Sequence, residues 1–174
     1  MKNLTLDDLK QYLKLEPLTQ EGGLIGYPYI SDEIIKEGTL ENRIGDRPLC
    51  GTIYYVLTRN SFSRMHKLVT DEIWYYHAGP ALKMLLIDEN GKAEVKWLGM
   101  DIANGQTPQV TVKRNTWQGS MIGEDGEVTL VSTSMCPKYA DSDYTNGYYD
   151  ELKDLVKKDQ LEMLKILTGE PVYE

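Results

Sequence analysis

Cysteine and histidine are scarce in this chain of 174 residues, which contains only two of each. Cys50 and Cys136 are far apart in the sequence and do not form the short, repeated spacing of a metal-binding motif. So few cysteines, without a disulfide framework, are typical of a reducing compartment. We therefore predict two free thiols and a cytoplasmic protein.

Long apolar segments are missing as well. No stretch approaches the roughly 18 consecutive apolar residues of a membrane-spanning helix. The N-terminal stretch from Met1 to Asp8 does not contain the apolar region of a secretory signal peptide. We therefore predict a soluble protein with no membrane partner.

Basic residues are outnumbered by acidic ones, 19 to 27, which gives a net charge of −8. A nucleic-acid-binding surface requires clustered lysine and arginine side chains. The dense charge run from Glu151 to Lys165 instead mixes both signs at helical spacing, as on a solvated helix face. The sequence therefore predicts no nucleic-acid partner.

The remaining composition is that of an ordinary globular protein, with 41% hydrophobic and 26% charged residues. The length is sufficient to bury a core and is typical of one domain, so we predict a single domain over residues 1–174. Helical periodicity is confined to its ends. A capping-box sequence from Thr5 to Asp8 precedes leucines at helical spacing. After Pro137 the same spacing returns, which predicts a helical C-terminal extension over about residues 141–169.

Between these ends the sequence has the composition and alternation of β-strands. Asn90-Gly91 and Asp125-Gly126 each separate two apolar runs, a pattern that favours β-hairpins. The predicted strands cover residues 24–31, 52–58, 62–69, 73–77, 81–88, 93–98, 108–113, 117–122 and 128–134. Short strands at this close spacing predict an all-β sandwich or barrel over about residues 20–137, with short helices at both ends.

The densest group of candidate functional side chains lies on two successive predicted strands. Because side chains alternate between the faces of a strand, His66 and Leu68 share one face of the first strand. Glu72, Trp74 and Tyr76 likewise share one face of the second. If these two faces coincide, an imidazole and a carboxylate meet in a space with aromatic walls.

The spacing His66-x-Leu68-x3-Glu72-x6-Gly79 resembles the first motif of the cupins. Further segments resemble the cupin branch known as Cupin_5 or DUF985. They include Glu21-Gly22-Gly23, Thr70-Asp71-Glu72-Ile73-Trp74, Gly105-Gln106-Thr107-Pro108-Gln109 and Trp117-Gln118. The resemblance extends over most of the chain. It implies a double-stranded β-helix, which is the cupin jelly-roll barrel, and a homodimer.

Two departures from the metal-binding cupin motifs bear on cofactor binding. Leu68 stands in place of one metal histidine, and Gln118 stands in place of another, so the set implied by the resemblance is His66, Glu72 and Gln118. An amide oxygen is a weak ligand for most transition metals. We therefore predict at most a loosely bound divalent metal at these residues. We favour instead a polar cluster in which His66 and Glu72 hydrogen-bond to each other and Gln118 completes the set.

An imidazole next to a carboxylate in a partly dry barrel is suited to proton transfer next to a carbonyl group. We therefore predict that His66 is a general base and that Glu72 is its orienting partner or an acid. The sugar epimerases of the cupin superfamily, which this chain resembles only at that level, add a tyrosine acid. The candidates for that acid are Tyr54, Tyr55, Tyr75 and Tyr76.

The leading hypothesis is a cupin that binds a small, sugar-like ligand. Its activity would be that of an epimerase or isomerase acting on a keto-sugar or nucleotide-sugar. Two alternatives remain open at this point. One is a non-catalytic cupin that binds or senses a ligand, and the other is a weakly metal-dependent cupin enzyme.

Aromatic and polar side chains near the two strands are predicted to bind the ligand. Trp74, Tyr76 and Trp117 are candidates for stacking against a sugar ring or a base, and Gln118 for bonding its polar edge. Because Trp117 is next to Gln118, we expect it to line the pocket most directly. The alternative is that all three aromatic rings are ordinary core residues.

Arg64 has the strand parity of His66 and is therefore predicted to point into the same space. A buried arginine requires an acidic partner, so Arg64 is expected to pair with Glu72 or to bind a carboxylate of the substrate. His77 has the opposite parity to Glu72 and is predicted to lie outside the site.

Overall fold

The computed structural model describes residues 5–41 and 43–173. Residues 1–4, which begin the stretch compared above with a signal peptide, lie outside the described residues. The helices are α1 (Leu6–Leu13), α2 (Tyr149–Leu152) and α3 (Leu161–Leu167). The strands are β1 (Glu16–Pro17), β2 (Leu24–Ile30), β3 (Ile34–Ile35), β4 (Arg47–Pro48), β5 (Gly51–Thr58), β6 (Phe62–Leu68), β7 (Glu72–Ala78), β8 (Leu82–Ile87), β9 (Ala93–Leu98), β10 (Gln109–Val112), β11 (Trp117–Ile122), β12 (Val128–Met135) and β13 (Tyr144–Asn146).

Two antiparallel sheets form the body of the protein. The six-stranded sheet has the order β1-β2-β5-β12-β7-β10, and the five-stranded sheet has the order β13-β6-β11-β8-β9. Their facing sides meet in a core that contains Tyr55, Trp74 and Val131 from the first sheet and Leu82 and Met84 from the second. This arrangement confirms the predicted all-β jelly-roll fold, although the strand pairing of the described residues does not close the sheets into one continuous barrel.

The strands between Gly51 and Met135 agree with the sequence prediction to within one or two residues. Strands β10 and β12 alternate between buried and more exposed side chains, which is the pattern of a strand covered on one side. Strand β8 is instead buried along almost its whole length, because the core covers one face and the C-terminal helices cover the other. The segment from residue 32 to 49 lies between two of the predicted strands. It contains one short hairpin, in which β3 pairs with β4.

The N-terminal helix begins as its sequence predicts. The Asp8 backbone N–H donates to the Thr5 hydroxyl oxygen at 3.2 Å, and the Thr5 N–H donates to the Asp8 carboxylate at 2.9 Å. This reciprocal pair satisfies two N–H groups that a helix start otherwise leaves unbonded. None of the helices in the described ranges is long and apolar enough to cross a membrane.

The C-terminal extension differs from the prediction, because it is not helical throughout. Strand β13 lies within it and pairs with the edge of β6, so that Tyr144 faces Leu68 and Asn146 faces His66. A three-residue strand is too short to give a periodic signal in the sequence, and it forms here because β6 offers an unpaired edge. Beyond it, α2 and α3 cover the outer face of the five-stranded sheet around Met65.

A β-bulge interrupts the pairing of β6 with β11. His66 pairs with Gln118, but the next aligned pair is Ser63 with Ser120. Two residues of β6, Arg64 and Met65, therefore stand opposite one residue of β11. An extra residue reverses the alternation of side chains along the strand. The parity that predicted the direction of Arg64 from His66 is consequently lost.

Candidate functional site

A cavity of about 390 Å³ lies at one end of the jelly roll, between its two sheets. Its volume is near the lower end of the range of about 300–1,000 Å³ that is usual for ligand pockets. Apolar wall residues include Leu18, Ile25 and Met135, and residues 138–141 together with Tyr144 contribute another side. The cavity therefore combines contacts from strands of both sheets with contacts from the C-terminal extension.

His66 lies in the wall of this cavity, with only 1% of its surface exposed. Its Nδ1 is 2.6 Å from the carbonyl oxygen of Arg64. A carbonyl oxygen only accepts hydrogen bonds, so Nδ1 carries the proton and donates it. This bond orients the ring, and in the neutral imidazole it leaves the lone pair on Nε2.

The polar cluster around His66 is connected through Gln118. One N–H of the Gln118 amide donates to Glu72 Oε2 at 2.7 Å, and Gln118 Nε2 lies 3.3 Å from His66 Nε2, which accepts from it. The indole N–H of Trp74 donates to both Glu72 Oε2 and Gln118 Oε1, at 3.1 Å each. The expected direct bond between His66 and Glu72 is thus replaced by a bridge, because Gln118 lies directly opposite His66 on β11.

The carboxyl group of Glu72 is buried at the back of the cavity. Burial raises the pKa of Glu72 above its ordinary value, and the nearby negative charge of Glu21 raises it further. His66 and the hydrogen bonds from Thr133 and Gln118 act in the opposite direction. With its Oε2 atom occupied by two donors, Glu72 fixes the positions of its neighbours.

Glu21 is a site residue that the strand analysis did not identify. Its Oε2 atom lies 3.9 Å from His66 Nε2, and its other carboxylate oxygen accepts a hydrogen bond from the Ser63 hydroxyl. The carboxylate reaches this place because the next residue, Gly22, adopts a φ of +106°. A Cβ atom on Gly22 would lie 2.3 Å from the carbonyl oxygen of Phe62, so only glycine fits.

Tyr144 is the second residue that was missed. Its ring stacks on the imidazole of His66, with 4.8 Å between centroids and 14° between planes. Its hydroxyl is buried and has no hydrogen-bond partner among the described residues. Burial raises the pKa of Tyr144, and the charge of Glu21 adds to the increase, so the hydroxyl keeps its proton at neutral pH.

None of the four tyrosines proposed from the sequence as an acid lines the described cavity. The Tyr55 hydroxyl donates to the carbonyl oxygen of Gly22 at 2.8 Å, and the Tyr75 hydroxyl bonds to Ser134. Tyr54 shares the outward parity of β5, and the Tyr76 hydroxyl bonds to Gly79 at the end of β7. The tyrosine beside His66 instead comes from β13, which the sequence did not predict.

The family model described as the cupin superfamily, DUF985, matches residues 7–146 of the chain. This match covers more than three quarters of the sequence and includes every residue of the cluster around His66. The chain belongs to the cupin superfamily. No functionally curated protein matches the sequence.

Solved structures support the same assignment. A protein from Shewanella oneidensis is 28% identical, with a TM-score of 0.78 and full coverage of both chains. A hypothetical protein from Leishmania major is 25% identical, with a TM-score of 0.76 and coverage of 98% of this chain and 99% of its own. A cupin 2 domain-containing protein from Halorhodospira halophila, at 10% identity and a TM-score of 0.54, shares the fold over 82% of this chain and 81% of its own.

Metal-binding cupins raise the question of whether this cluster can hold a divalent ion. The described residues contain no group of three or more histidine, cysteine or acidic side chains arranged around a metal position. The predicted third ligand, Gln118, turns its N–H groups toward His66 and Glu72, because its oxygen accepts from Trp74. An N–H group cannot coordinate a cation. The set of His66, Glu72 and Gln118 therefore does not fit a metal.

The predicted aromatic ligand-binding residues of this cupin do not line the described cavity. Trp74 is in the core, where its ring meets Tyr55 edge-to-face and its N–H orients the polar cluster. Tyr76 packs against the same core. The prediction for Trp117 is wrong in direction, because this ring faces outward, beneath Lys67 and against the helices. Adjacent residues of a strand point to opposite faces, so proximity to Gln118 excluded Trp117 from the site.

Arg64 also lies outside the predicted position, because the bulge reverses its parity. Its guanidinium group is 5.8 Å from the centre of the Tyr148 ring, and no ion pair with Glu72 is present among the described residues. Its contribution to the site is the backbone carbonyl that holds His66. His77 is exposed on the outer face of the sheet and bonds to Ser132, in agreement with its predicted parity.

Proposed function

We propose that this cupin binds a small, polar, carbonyl-containing metabolite of the size of one sugar ring and moves a proton on it. The observation that carries the proposal is the His66–Tyr144 pair. It places a basic nitrogen and a proton-bearing hydroxyl at one cavity wall, and the hydroxyl has no hydrogen-bond partner among the described residues. Buried polar groups without partners are uncommon in proteins, and a ligand oxygen would supply the missing partner here.

The roles of the residues follow from the orientation of their hydrogen bonds. On ligand binding, His66 Nε2 releases its 3.3 Å contact with the Gln118 N–H and removes a proton from the carbon next to the carbonyl group of the ligand. The Tyr144 hydroxyl donates to the carbonyl oxygen and stabilises the negative charge that develops there. The bond from Nδ1 to the Arg64 carbonyl oxygen holds the imidazole in place, and Glu72 fixes the Gln118 amide beside it. Glu21, 3.9 Å from Nε2, stabilises the ring when it becomes protonated.

The cavity dimensions favour a single sugar ring over a complete nucleotide-sugar within the enclosed space. A volume of 390 Å³ accommodates a small ligand, with Leu18, Ile25 and Leu68 against one face and Glu21 or Lys138 near its hydroxyl groups. A larger conjugate would have to extend through the mouth beside Lys138. The homodimer stays a separate prediction, to be checked by light scattering of the purified protein.

Ligand-observed NMR with a panel of aldoses, ketoses and keto-sugars tests the binding step. We expect at least one member to bind wild-type protein and to lose most of that binding in His66→Gln. His77→Gln is the matched control, since it changes the only other histidine, which lies outside the cavity. Equal binding by both variants, or no binding of any carbonyl compound, would contradict the proposal.

A further inference from the structure

The two cysteines, far apart in the sequence, lie opposite each other in space. Strand β5 pairs with β12 in a register that ends with Gly51 opposite Met135. The next position outward on each chain is Cys50 on one side and Cys136 on the other. Beyond this pair, the Lys138 N–H donates to the Pro48 carbonyl oxygen at 3.1 Å, so the same register continues. The backbone on both sides therefore fixes the two cysteines as a cross-strand pair.

The register is compatible with the geometry of a disulfide. Directly opposite residues of antiparallel strands have Cα atoms about 4.5 or 5.5 Å apart and side chains on the same face. Disulfides span Cα distances of about 4.4–6.8 Å. Both thiols are free, and Cys136 is exposed while Cys50 is partly buried.

The ionisation of Cys136 also reports that the thiols are adjacent. Burial raises the pKa of Cys136, and the charge of Cys50 and a hydrogen bond to it raise the pKa further. This interaction indicates that the two sulfur atoms are adjacent, while the raised pKa itself keeps the thiolate form of Cys136 scarce at neutral pH.

We propose that Cys50 and Cys136 are an oxidisable pair that reacts with a low-molecular-weight disulfide, such as glutathione disulfide, to form an intramolecular disulfide. The Cys136 thiolate attacks one sulfur of the oxidant and releases one thiol, leaving a mixed disulfide on the exposed cysteine. The Cys50 thiolate then attacks the Cys136 sulfur and releases the second thiol. The protein loses two protons and two electrons, and the oxidant is reduced to two thiols.

The disulfide would act on the mouth of the cavity. Gly51 and Met135, which adjoin the two cysteines, both line the cavity, and the chain after Cys136 supplies Lys138 and Tyr139 to its lining. The Lys138 side chain already packs on Gly51, since a Cβ atom added there would lie 2.7 Å from it. A covalent bond at this place would tether the rim to β5 and restrict its opening.

Intact-mass analysis after incubation of reduced wild-type protein with glutathione disulfide tests the chemistry. We expect monomer that has lost two hydrogen atoms, and non-reducing peptide mapping that joins Cys50 to Cys136. Cys50→Ser is expected to stop at the glutathione adduct on Cys136, because no second thiol resolves it. Accumulation of stable adducts on both cysteines of wild-type protein, or only intermolecular cross-links, would contradict the proposed disulfide between Cys50 and Cys136.

Two further measurements test the consequence for the cavity. The oxidised protein is expected to unfold at a temperature higher by roughly 5–15 °C than the reduced protein. Hydrogen exchange of residues 137–144 is expected to slow on oxidation, whereas that of the distant β8–β9 hairpin stays constant. A disulfide that forms without slowing exchange in residues 137–144 would contradict the tethering of the mouth.

Discussion

One ring nitrogen of His66 donates a hydrogen bond and the other accepts one, and neighbouring residues determine which is which. The Arg64 carbonyl oxygen accepts a hydrogen bond from Nδ1, and the Gln118 amide N–H donates to Nε2. Trp74 fixes the amide in turn, since its N–H bonds the Gln118 oxygen. One tryptophan in the core thus decides that a donor, and not a metal-binding oxygen, faces the imidazole. Gln118 therefore stands in place of a metal-binding histidine without providing a metal ligand.

Removing the Tyr144 hydroxyl separates its functional contribution from its structural one. Tyr144→Phe is expected to change the free energy of unfolding by less than about 0.5 kcal/mol, because this hydroxyl has no described partner to lose. The affinity for the carbonyl ligand should fall about tenfold, which corresponds to one hydrogen bond to the ligand. Urea unfolding and ligand titration measure the two effects.

Tyr75→Phe is the matched control for this change. It removes a tyrosine hydroxyl that bonds to Ser134 outside the cavity. Its ligand affinity should equal that of the wild type, while its stability falls by about 1 kcal/mol. If Tyr75→Phe weakened binding as much as Tyr144→Phe, the assignment of the Tyr144 hydroxyl to the ligand would be wrong.

The raised pKa of Glu72 should make the free energy of unfolding depend on pH. Because burial raises its pKa in the folded state, the folded protein holds this proton more tightly than the unfolded chain does. The resulting stabilisation is present below the unfolded value of 4.5 and is lost as pH rises through the folded-state pKa. Glu72→Gln removes this titration. Its free energy of unfolding relative to wild type should therefore increase with pH in a series of urea titrations, and a flat or falling difference would contradict the buried carboxyl.

At the scale of elements, the turn before β2 determines where Glu21 points. Gly22→Ala is expected to lower the free energy of unfolding by about 2–4 kcal/mol, since its φ is positive and its Cβ would clash with the Phe62 carbonyl group. Gly38→Ala is the control, with a φ of +81° and no atom within 4 Å of its Cβ. That variant should lose only about 1 kcal/mol. Equal losses in urea unfolding would show that the turn is not constrained by its contact with β6.

The element that carries Tyr144 is held by a buried ion pair. Arg47 Nη1 donates to Asp143 Oδ1 at 3.0 Å, and the two side chains are only 5% and 1% exposed. Arg47→Met leaves the Asp143 carboxylate buried without its counter-charge, so we expect a loss of about 3–5 kcal/mol in urea unfolding. The double variant Arg47→Met with Asp143→Leu should recover most of it, because no buried charge remains.

An exposed ion pair of the same protein provides the comparison. Lys36 Nζ and Asp46 Oδ2 form a salt bridge of 2.6 Å, but the two side chains are 77% and 48% exposed. Lys36→Met should therefore cost less than about 1 kcal/mol. A cost similar to that of Arg47→Met would mean that burial does not govern the strength of these pairs.

The strands of the jelly roll could be predicted from their β-branched and aromatic composition, from the turn signals between them, and in part from the alternation of their side chains, which is complete in β12. The position of His66 beside Glu72 followed from this alternation. Arg64 was misplaced because one bulge residue breaks the alternation, and no composition signal marks the bulge. Glu21 had a signal in Glu21-Gly22-Gly23, a segment that resembles the cupin branch, but the resemblance did not assign its carboxylate to the site. Tyr144 had none, since its strand exists only through pairing with β6.

At the scale of the whole molecule, the two faces of the five-stranded sheet have different roles. The five-stranded sheet is covered on its outer side by the C-terminal helices, and its inner side presents His66. The same C-terminal extension turns back over the open end and places Tyr144 on that histidine. A rigid pair of sheets with a pocket at one end provides fixed positions for a base and a donor, which proton transfer requires.

Solvent-deuterium exchange tests the central claim most directly. Wild-type protein is incubated in deuterated buffer with a carbonyl ligand that it binds, and deuterium on the carbon next to the carbonyl group is followed by NMR. We expect exchange to be at least about a hundredfold slower in His66→Gln than in wild type, because a positioned base contributes that much. His77→Gln should exchange at the wild-type rate. A bound ligand that takes up no deuterium, or His66→Gln at the wild-type rate, would show that His66 is not the base.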